Sequence, residues 1–329
     1  MNILILGGTQ FLGRHLVEES LKRGHEVSIF TRGKTNPELF PEVEKIVGDR
    51  DGNLLNIKGR KWDAVIDTSG YVPRIVRDSA KILEANCNLY TFVSTISVYK
   101  DFTKAGTIEE DEVGKLESEG TEEITGETYG PLKALCEKEV MEIFPDKHLI
   151  IRPGLIVGPY DPTDRFTYWP HKIGSQQEVL TPRDEQASVQ FIDVRDLASF
   201  IIQQLENKSI GVYNVTGPSN SLTFDQFINA CKETLNKEVK VTSVSEQFMV
   251  ENDIHFWSDL PLYIPKGKGM DGFHEVSIDS ALAAGLSFTP LEKTIQDTYQ
   301  WSIERNITEL NAGLSKDKEM DLLVKWHNK

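Results

Sequence analysis

The sequence predicts an alternating α/β fold: a doubly wound parallel sheet followed by a smaller C-terminal lobe. Short apolar runs alternate with amphipathic segments from the start of the chain, as at Asn2–Leu6 and Phe11–Lys22. A glycine pair, Gly7 and Gly8, separates these first two segments. Strands that alternate with helices in this way build parallel sheets with helices on both faces. The length of 329 residues leaves room for a second lobe.

Strands and helices are predicted from the period of the apolar residues. After the first strand and helix, the predicted strands are His25–Thr31, Val43–Val47, Asp63–Asp67, Leu89–Ser94, His148–Val157, Val189–Ile192 and Val212–Val215. The further predicted helices are Val72–Glu84, Tyr129–Met141, Val194–Leu205, Phe224–Leu235 and Leu291–Arg305. Thr223 and Gln226 form a capping-box pattern. Residues 158–182 are predicted to be mainly loop, and the weak periodicity of residues 244–275 predicts no definite structure.

The first thirteen residues form a strand, a glycine turn and the start of a helix. Gly7 is predicted to form the tight turn, and Gly13 to let the helix pack close to the strand. Backbone N–H groups and the helix dipole of such a turn point at an anion, typically a dinucleotide pyrophosphate. The spacing is not G-x-G-x-x-G, since Gln10 stands where G-x-x-G-x-x-G would have its middle glycine. A tight turn that binds nothing is the alternative.

Composition limits the class of protein. Hydrophobic residues make up 39% of the chain and charged residues 26%, which is ordinary for a globular protein. Apolar runs are too short to span a bilayer and the N-terminus lacks the features of a signal peptide, so we expect a cytoplasmic protein and no membrane partner. Cys87, Cys136 and Cys231 lie far apart in apolar settings, which indicates buried thiols. Metal-ligand spacing is absent, and no metal is expected.

The formal net charge of −15 argues against nucleic acid as a partner, because phosphate binding depends on Lys and Arg. Much of the charge is local. Residues 109–127 hold one lysine, Lys115, and nine acidic residues: Glu109, Glu110, Asp111, Glu112, Glu117, Glu119, Glu122, Glu123 and Glu127. This acidic segment is either a lid or partner surface, or a solvated loop, and charge runs are more often solvated loops.

Tyr129 and Lys133 are four residues apart, so a helix places them on one face. A nearby ammonium favours the phenolate, and Lys133 is therefore predicted to lower the pKa of Tyr129. Ser94, Thr95 and Ser97 end a predicted strand and supply a hydroxyl that orients a substrate oxygen. Such a Tyr/Lys pair alone is usually an exposed helical contact. Combined with the glycine turn and the alternating pattern, it indicates an acid–base site.

The chain resembles a known family, the extended short-chain dehydrogenase/reductases of the NAD-dependent epimerase/dehydratase group. The resemblance rests on GGTQFLG (7–13), VSTISVY (93–99), YGPLK (129–133), RPGLIVGPYDP (152–162), FIDVRDLA (191–198), GVYNVTGP (211–218) and GLSFTPLEKTIQDTYQW (285–301). It implies a Rossmann-type NAD(P)-binding domain at residues 1–157, with returns near 187–215 and 276–285. Residues 158–329 would then be mainly a substrate-binding lobe.

The resemblance implies a role for each matching residue. Tyr129 matches the catalytic acid/base, Lys133 the lysine that binds the nicotinamide ribose, and Thr95 the residue that hydrogen-bonds the reacting oxygen. Asp49 matches the aspartate near the adenine. The implied cofactor-binding set is completed by residues of the glycine turn and of the strand ends: Gly7, Thr9, Gln10, Phe11, Leu12, Gly13, Arg32 and Ser69.

One departure from the family pattern concerns cofactor choice. Relatives that bind NAD usually carry an acid where this chain has Thr31. Here Arg32 follows, with Lys34 nearby, which suits a 2′-phosphate. NADP(H) is therefore favoured over NAD(H), and a solvated turn residue is the alternative role for Arg32.

The loop 161–172 supplies three candidate substrate-binding residues: Arg165 for an anionic group, and Tyr168 and Trp169 for stacking on a ring. An aromatic plug that packs the lobe is the alternative.

We therefore expect an NAD(P)-dependent enzyme that acts on a hydroxyl or carbonyl carbon of a small molecule by hydride transfer. A nucleotide-sugar epimerase/dehydratase and a dissociable NADPH-dependent ketone or aldehyde reductase are the two enzymatic alternatives. Relatives with a similar GGT-x-F opening resemble chloroplast RNA-binding proteins, which makes a non-catalytic RNA-binding protein the third. The Tyr129/Lys133 pair and the net charge of −15 count against it. Family members often dimerise through the helix that carries the tyrosine, so a homodimer is an open alternative.

Overall fold

A seven-stranded parallel sheet is the centre of the fold. The computed structural model describes residues 1–118 and 120–329. Its strands are β1 (Asn2–Leu6), β2 (Glu26–Thr31), β3 (Glu44–Val47), β4 (Trp62–Asp67), β5 (Cys87–Val93), β6 (His148–Pro153), β7 (Leu155–Val157), β8 (Glu178–Pro182), β9 (Phe191–Asp193), β10 (Gly211–Val215) and β11 (Lys240–Val244). The large sheet has the order β10-β6-β5-β4-β1-β2-β3 with parallel neighbours throughout. The predicted doubly wound α/β class, Rossmann-like with an additional C-terminal region, is confirmed.

Helices cover both faces of this sheet and occur throughout the C-terminal region. In chain order they are α1 (Phe11–Lys22), α2 (Pro73–Leu83), α3 (Tyr129–Ile143), α4 (Tyr168–Ser175), α5 (Val194–Glu206), α6 (Phe224–Leu235), α7 (Glu246–Glu251), α8 (Asp279–Ala283), α9 (Leu291–Glu304) and α10 (Lys316–His327). The boundaries of α1 and α6 are those predicted, and the Thr223/Gln226 capping box forms. Within the described residues, these helices are all too short or too polar to cross a membrane.

Alternation along each strand separates the two faces of the sheet. In β1, Ile3 and Ile5 pack on the α1 and α5 side, whereas Leu4 and Leu6 pack on the α2 and α3 side. Because successive side chains of a strand point to opposite faces, a strand buried on both sides needs a continuous apolar run. The sheet order reverses at β1, which lies between β2 and β4. Open parallel sheets bind ligands at the carboxyl ends of the strands at such a point.

The C-terminal region has its own apolar core. The buried aromatic residues of that core include Phe166, Trp169, Phe224 and Phe227, and α4, α6 and α9 pack around them. Strands β8 and β11 form a small parallel sheet in the same region. Strand β10 returns to the large sheet, and α8 packs against it. The predicted division of the chain, with its boundary at residue 157 and its returns near 187–215 and 276–285, stays a prediction.

One predicted strand, His148–Val157, is wrong as a single element. The structure divides it at Gly154 into β6, in the large sheet, and β7, which pairs with β9. A Cβ on Gly154 would lie 2.2 Å from the Thr216 hydroxyl, so the chain passes too close to its neighbour for any larger residue. At this close approach of Gly154 to Thr216, the backbone leaves the large sheet and continues into the C-terminal lobe.

The predicted loop 158–182 also contains regular structure, namely α4 and β8. Helix α4 has only eight residues and includes Pro170 and Gly174, which are poor helix formers. Burial of Tyr168, Trp169 and Ile173 stabilises it, so tertiary packing overrides the local preference. Residues 244–275, for which the sequence predicted no structure, begin with α7 and continue as turns and loops.

Candidate active site

A cleft of about 1370 Å³ follows the carboxyl ends of the sheet strands. On one side its lining comes from the segments that follow β1 to β6. On the other side it is lined by residues of the C-terminal lobe between positions 256 and 273. The predicted site residues Tyr129, Lys133, Thr95, Arg32, Asp49, Ser69 and Arg165, and the whole turn 7–13, line this cleft together. Tyr168 and Trp169 do not.

The glycine turn has the backbone that a phosphate cradle needs. Gly7 and Gly8 have φ angles of 121° and 108°, a region that residues with a Cβ rarely adopt. A Cβ on Gly13 would lie 2.6 Å from the Gly8 nitrogen, so only glycine lets α1 start against the turn. Gln10 is exposed, immediately precedes α1 and makes no side-chain capping hydrogen bond. Its position leaves the first N–H groups of the helix facing the cleft.

Polar side chains lie beyond the next three strands of the chain. Arg32 and Lys34 follow β2, and Asp49 follows β3; all three are exposed. Ser69 follows β4, and its hydroxyl donates to the Leu6 carbonyl at 3.2 Å. These residues therefore lie at the same end of the cleft as the glycine turn.

Sequence reasoning missed a buried ion pair beneath this end. Arg50 donates to both carboxylate oxygens of Asp67 at 2.6 and 2.7 Å, and Asp67 is fully buried. The same carboxylate accepts from the Tyr90 hydroxyl at 2.9 Å and from the Ser69 N–H at 3.1 Å. The pair thereby fixes the turn that follows β4. Its only sequence signal was an aspartate at the end of a buried strand.

Tyr129 and Thr95 meet because α3 starts against the turn that follows β5. A Cβ on Gly130 would lie only 1.9 Å from the Ser97 carbonyl oxygen, so glycine is required beside the tyrosine. Thr95 accepts from the Ser97 N–H at 3.1 Å, which fixes its side chain. Burial raises the pKa of Tyr129, as does the nearby Tyr71, while a hydrogen bond with Thr95 acts in the opposite direction.

Lys133 is buried one helical turn further along α3. Its ammonium donates to the carbonyls of Gly70 and Val93, both at 2.7 Å, and lies 4.1 Å from the centre of the Phe92 ring. Burial lowers the pKa of Lys133 to about 8. The prediction that Lys133 lowers the pKa of Tyr129 is wrong for this arrangement. Its charge is directed at two carbonyls, and the phenol is governed by its burial.

The loop 161–172 divides its predicted residues between the cleft and the core. Arg165 lines the cleft, and its Nε donates to the Thr163 hydroxyl at 3.2 Å. Tyr168 and Trp169 are completely buried in the lobe. The Trp169 Nε1 donates to the Pro261 carbonyl at 2.7 Å, and its ring packs edge-on to Phe224. The predicted stacking role of Tyr168 and Trp169 is wrong, because both rings form the aromatic plug of the lobe.

The C-terminal wall of the cleft was missed by sequence reasoning. Its members are aromatic or aliphatic: Phe256, Trp257, Ile264, Met270 and Phe273. They lie in the segment whose weak periodicity gave no prediction. The available signal was a run of large apolar residues followed by three glycines, Gly267, Gly269 and Gly272, which is unlike an ordinary solvated loop.

The acidic segment lies partly against the cleft. Its residues Ile124, Thr125 and Gly126 line the cleft, and Glu119 lies outside the described residues. Arg74 pairs with Asp51 at 2.8 Å and with Glu122 at 3.0 Å, which joins this segment to the turn after β3. The lid hypothesis stays a prediction. In residues 1–118 and 120–329 no group of three His, Cys, Asp or Glu residues could hold a metal ion.

Comparison with known proteins gives similar sequences and similar folds. The chain is 28% identical over 258 residues to a chloroplast stem-loop binding protein of 41 kDa from Arabidopsis thaliana, covering 70% of this chain and 62% of that protein. It thus spans less than two thirds of that relative. A putative epimerase from Burkholderia cenocepacia J2315 superposes with a TM-score of 0.70 at 14% identity, covering 93% of this chain and 98% of that chain.

A second solved structure is the UDP-glucuronic acid 4-epimerase from Bacillus cereus in complex with NAD. It superposes with a TM-score of 0.66 at 16% identity and covers 93% of this chain and 100% of that chain. At these identities the structures show a shared fold. The model of the NAD dependent epimerase/dehydratase family matches residues 3–216, which include the glycine turn, Thr95, Tyr129 and Lys133. The chain therefore belongs to the NAD dependent epimerase/dehydratase family.

Proposed function

We propose that this protein is an NAD(P)-dependent oxidoreductase that acts on a hydroxyl or carbonyl carbon, with Tyr129, Thr95 and Lys133 at the reacting centre. The observation that carries the proposal is the cleft itself. It brings the N-terminus of α1 with its glycine turn, the partly buried Tyr129 and the buried Thr95 to one continuous surface. Each feature alone has ordinary structural explanations, but their convergence in one cleft fits a reaction that needs a dinucleotide and an acid–base group.

The residues present fit a dinucleotide. A Cβ on Gly7 would lie 2.3 Å from the Thr68 hydroxyl, and a Cβ on Gly13 would lie 2.6 Å from the Gly8 nitrogen. Only glycine therefore allows the tight turn that brings the start of α1 up to a pyrophosphate. The Ser94 hydroxyl is buried beside the cleft and has no hydrogen-bond partner in the described residues. When bound there, a nicotinamide dinucleotide supplies the hydride donor or acceptor of the reaction. The protein binds, orients and exchanges protons around it.

Tyr129 is proposed as the proton donor in the direction of carbonyl reduction. Because burial raises its pKa, the phenol stays protonated at neutral pH and can give its proton to the oxygen as the carbon accepts hydride. Thr95 orients that oxygen through its hydroxyl. In the direction of oxidation, Tyr129 takes the proton back. The positive charge of Arg165, which acts to lower the pKa of Tyr129, then reduces the cost of forming the phenolate.

Lys133 is proposed to hold the ribose. Two of its three N–H donors are used by the Gly70 and Val93 carbonyls, which leaves one for a ribose hydroxyl. The Arg50–Asp67 pair fixes the turn that carries Gly70, so it acts through Lys133 as a positioning group. Lys133 thus has a fixed direction before any ligand binds.

NADP(H) is the proposed cofactor within the NAD-dependent family. The side chains at the end of β2 are Thr31, Arg32 and Lys34, so no carboxylate occupies the ribose position there. Arg32 and Lys34 are exposed and line the cleft, where a 2′-phosphate would find cationic donors. The structural relative from Bacillus cereus holds NAD, so this preference rests on the residues of this chain alone.

Reaction type separates the two enzymatic alternatives. An epimerase or dehydratase returns the hydride to the same substrate molecule and keeps its cofactor, whereas a reductase exchanges the cofactor at every turnover. Native mass spectrometry of the purified protein, before and after addition of NADPH or NADH, distinguishes them. A retained stoichiometric dinucleotide supports the nucleotide-sugar epimerase/dehydratase, which the UDP-sugar epimerase among the structural relatives also favours. A site that fills only on addition supports the reductase. Binding of neither dinucleotide contradicts the enzyme proposal.

RNA binding is the second candidate function, because the Arabidopsis relative is a stem-loop binding protein. The net charge of −15 opposes it, since nucleic-acid affinity comes largely from cations on phosphates. A stem-loop RNA titration at low and at physiological salt tests it. Saturable binding that weakens with salt would support this function, and no binding at low salt would exclude it.

A further inference from the structure

The substrate end of the cleft has a fixed apolar wall. The backbone N–H of Trp257 donates to the carbonyls of Leu260 and Tyr263, both at 3.1 Å, which fixes the backbone that carries its ring. Phe273 packs edge-on to Trp257 at 5.4 Å and to Phe102 at 5.1 Å between ring centres. Large apolar side chains held in place around a cleft are typical of sites for ligands with an apolar body.

Phe256 and Met270 extend the same wall and remain 39% and 37% exposed. An exposed phenylalanine or methionine on a convex surface is ordinary, but these two line a cleft beside Trp257. A ligand with an apolar body would remove their surface from water, which favours binding in proportion to the area covered.

Arg165 is the cation at this end. Its guanidinium lies 5.7 Å from the centre of the Trp257 ring, and its positive charge is close enough to act on Tyr129. Among the described residues its terminal nitrogens have no hydrogen-bond partner. The negative charge of Asp161 acts to raise the pKa of Arg165, but the two carboxylate oxygens of Asp161 accept hydrogen bonds from Thr163 and not from the guanidinium. Arg165 therefore presents a free planar fork towards the cleft.

The other cations of the cleft lining are committed elsewhere. Arg32 and Lys34 lie at the nucleotide end, Arg50 is neutralised by Asp67, and Lys133 is held by two carbonyls. One guanidinium on an apolar wall matches one oxyanion group. A nucleoside diphosphate presents two adjacent charges and a polar sugar, for which this wall offers few polar partners.

We propose that the substrate is a carbonyl or hydroxyl compound with a single oxyanion group, bound by Arg165, on an aromatic or branched apolar body that packs against Trp257 and Phe273. This inference rests on the proposed function and narrows it. Tyr129 and Thr95 contact the reacting oxygen, while Arg165 and the wall orient the rest of the molecule. The reducing equivalent comes from the nicotinamide dinucleotide and the proton from Tyr129, so the ketone becomes an alcohol and the dinucleotide is oxidised.

Calorimetric binding to the cofactor-loaded protein tests the inference. The oxidised dinucleotide is used, because it cannot reduce a ketone during the titration. The probes are phenylpyruvate and 4-oxo-4-phenylbutanoate, their uncharged methyl esters, and UDP-glucose. We expect each acid that fits to bind about tenfold more tightly than its ester, as one charge-assisted contact allows. UDP-glucose should bind more weakly than the better acid.

Arg165→Gln should bring the dissociation constant of the acid to that of its ester and leave the ester unchanged. Arg183→Gln is the matched control, because Arg183 is an exposed arginine of the same lobe outside the cleft lining. UDP-glucose binding more tightly than both acids would overturn the inference. So would an acid–ester ratio that Arg165→Gln does not change, or a cofactor-loaded protein that binds neither acid. The cofactor titration itself tests the proposed function: no cofactor binding overturns that function and this inference with it.

Discussion

The two ends of the cleft are built by different means. At the nucleotide end, backbone geometry makes the site: Gly7, Gly8 and Gly13 allow a strand, a turn and a helix to approach more closely than side chains permit. At the substrate end, side chains make the site, through a wall of large apolar residues and one arginine. The glycine turn can be recognised from a short stretch of sequence, whereas the apolar wall forms only when the C-terminal lobe folds.

This difference teaches which part of the function can vary. A backbone cradle accepts any ligand with the right phosphates, so it commits the chain to a class of cofactor. A side-chain wall changes with each substitution, so we propose that it sets the substrate. Substitutions in each region should therefore affect different properties: catalysis at the reacting centre, stability in the lobe core and cofactor preference beside the glycine turn.

The largest expected effect concerns the reacting centre between the two ends. Tyr129→Phe removes the proton donor and should lower turnover of the best ketone probe by about 10²–10⁴-fold. Cofactor affinity should be nearly unchanged, because the glycine turn and Lys133 remain. Tyr160→Phe is the matched control, since Tyr160 is an exposed tyrosine outside the cleft lining. Steady-state rates and a cofactor titration check both parts, and retained turnover would refute the role of Tyr129.

Two tryptophans of the lobe separate packing from binding. Trp169→Ala should cost about 3–5 kcal/mol of unfolding free energy, because Trp169 is fully buried in the lobe core. Trp257→Ala should cost about 1 kcal/mol, because this ring lines the cleft and is only partly buried, but it should weaken binding of the acid probes. Urea denaturation with calorimetry compares them. Equal losses of stability would place Trp257 in the core and weaken the proposed substrate wall.

Acid should loosen the substrate wall before the nucleotide end. Burial lowers the pKa of His274 to about 4, and its Nδ1 accepts from the Gln190 N–H while its Nε2 meets the Leu262 carbonyl. A proton on Nδ1 would face another donor. Below the pKa of about 6.5 that histidine has in the unfolded chain, the unfolded chain binds this proton and the folded chain does not. The free energy of unfolding therefore decreases as the pH decreases, by about 2 kcal/mol at pH 5.

Amide hydrogen exchange between pH 7 and pH 5, corrected for the intrinsic pH dependence, locates that loss. Exchange should accelerate in residues 256–274 more than in β1 and α1. His274→Asn, which removes the titrating group, should make stability less dependent on pH in this range even if it lowers stability at pH 7. Uniform acceleration through both regions would contradict the assignment to His274.

The smallest expected effect tests cofactor choice at the nucleotide end. Arg32→Ser should weaken NADPH binding by about tenfold, because a charge-assisted contact to the 2′-phosphate is lost. NADH binding should be unchanged, which makes NADH the internal control. Fluorescence titration of both dinucleotides gives the two dissociation constants. A parallel loss for both would mean that Arg32 serves the turn rather than the phosphate.

The parts of the fold that local chemistry determines were predictable from the sequence. The strand–turn–helix at residues 2–22, the α3 helix and the Thr223 capping box follow from periodicity and capping residues, and the structure confirms them. Thr95, Tyr129 and Lys133 line one cleft as expected. Gly130 was a readable signal that went unused, because only glycine fits between the tyrosine and the Ser97 carbonyl.

Other parts required tertiary information. The stretch around Tyr168 and Trp169 does not reveal which of its residues face the core, and the structure assigns Arg165 to the cleft and both rings to the plug. Arg50 and Asp67 lie on separate elements, so their pairing is invisible until β3 and β4 are placed around β1. The predicted effect of Lys133 on Tyr129 failed because two backbone carbonyls hold the ammonium.

Amide hydrogen exchange of the protein with and without NADPH tests the central claim most directly. The account predicts protection of the glycine turn at residues 7–13 and of residues 31–35 on addition of NADPH. Addition of phenylpyruvate or 4-oxo-4-phenylbutanoate with the oxidised cofactor should then protect residues 256–273. Unchanged exchange in residues 7–13 and 31–35 at saturating NADPH would contradict the claim that this cleft is a dinucleotide-dependent active site.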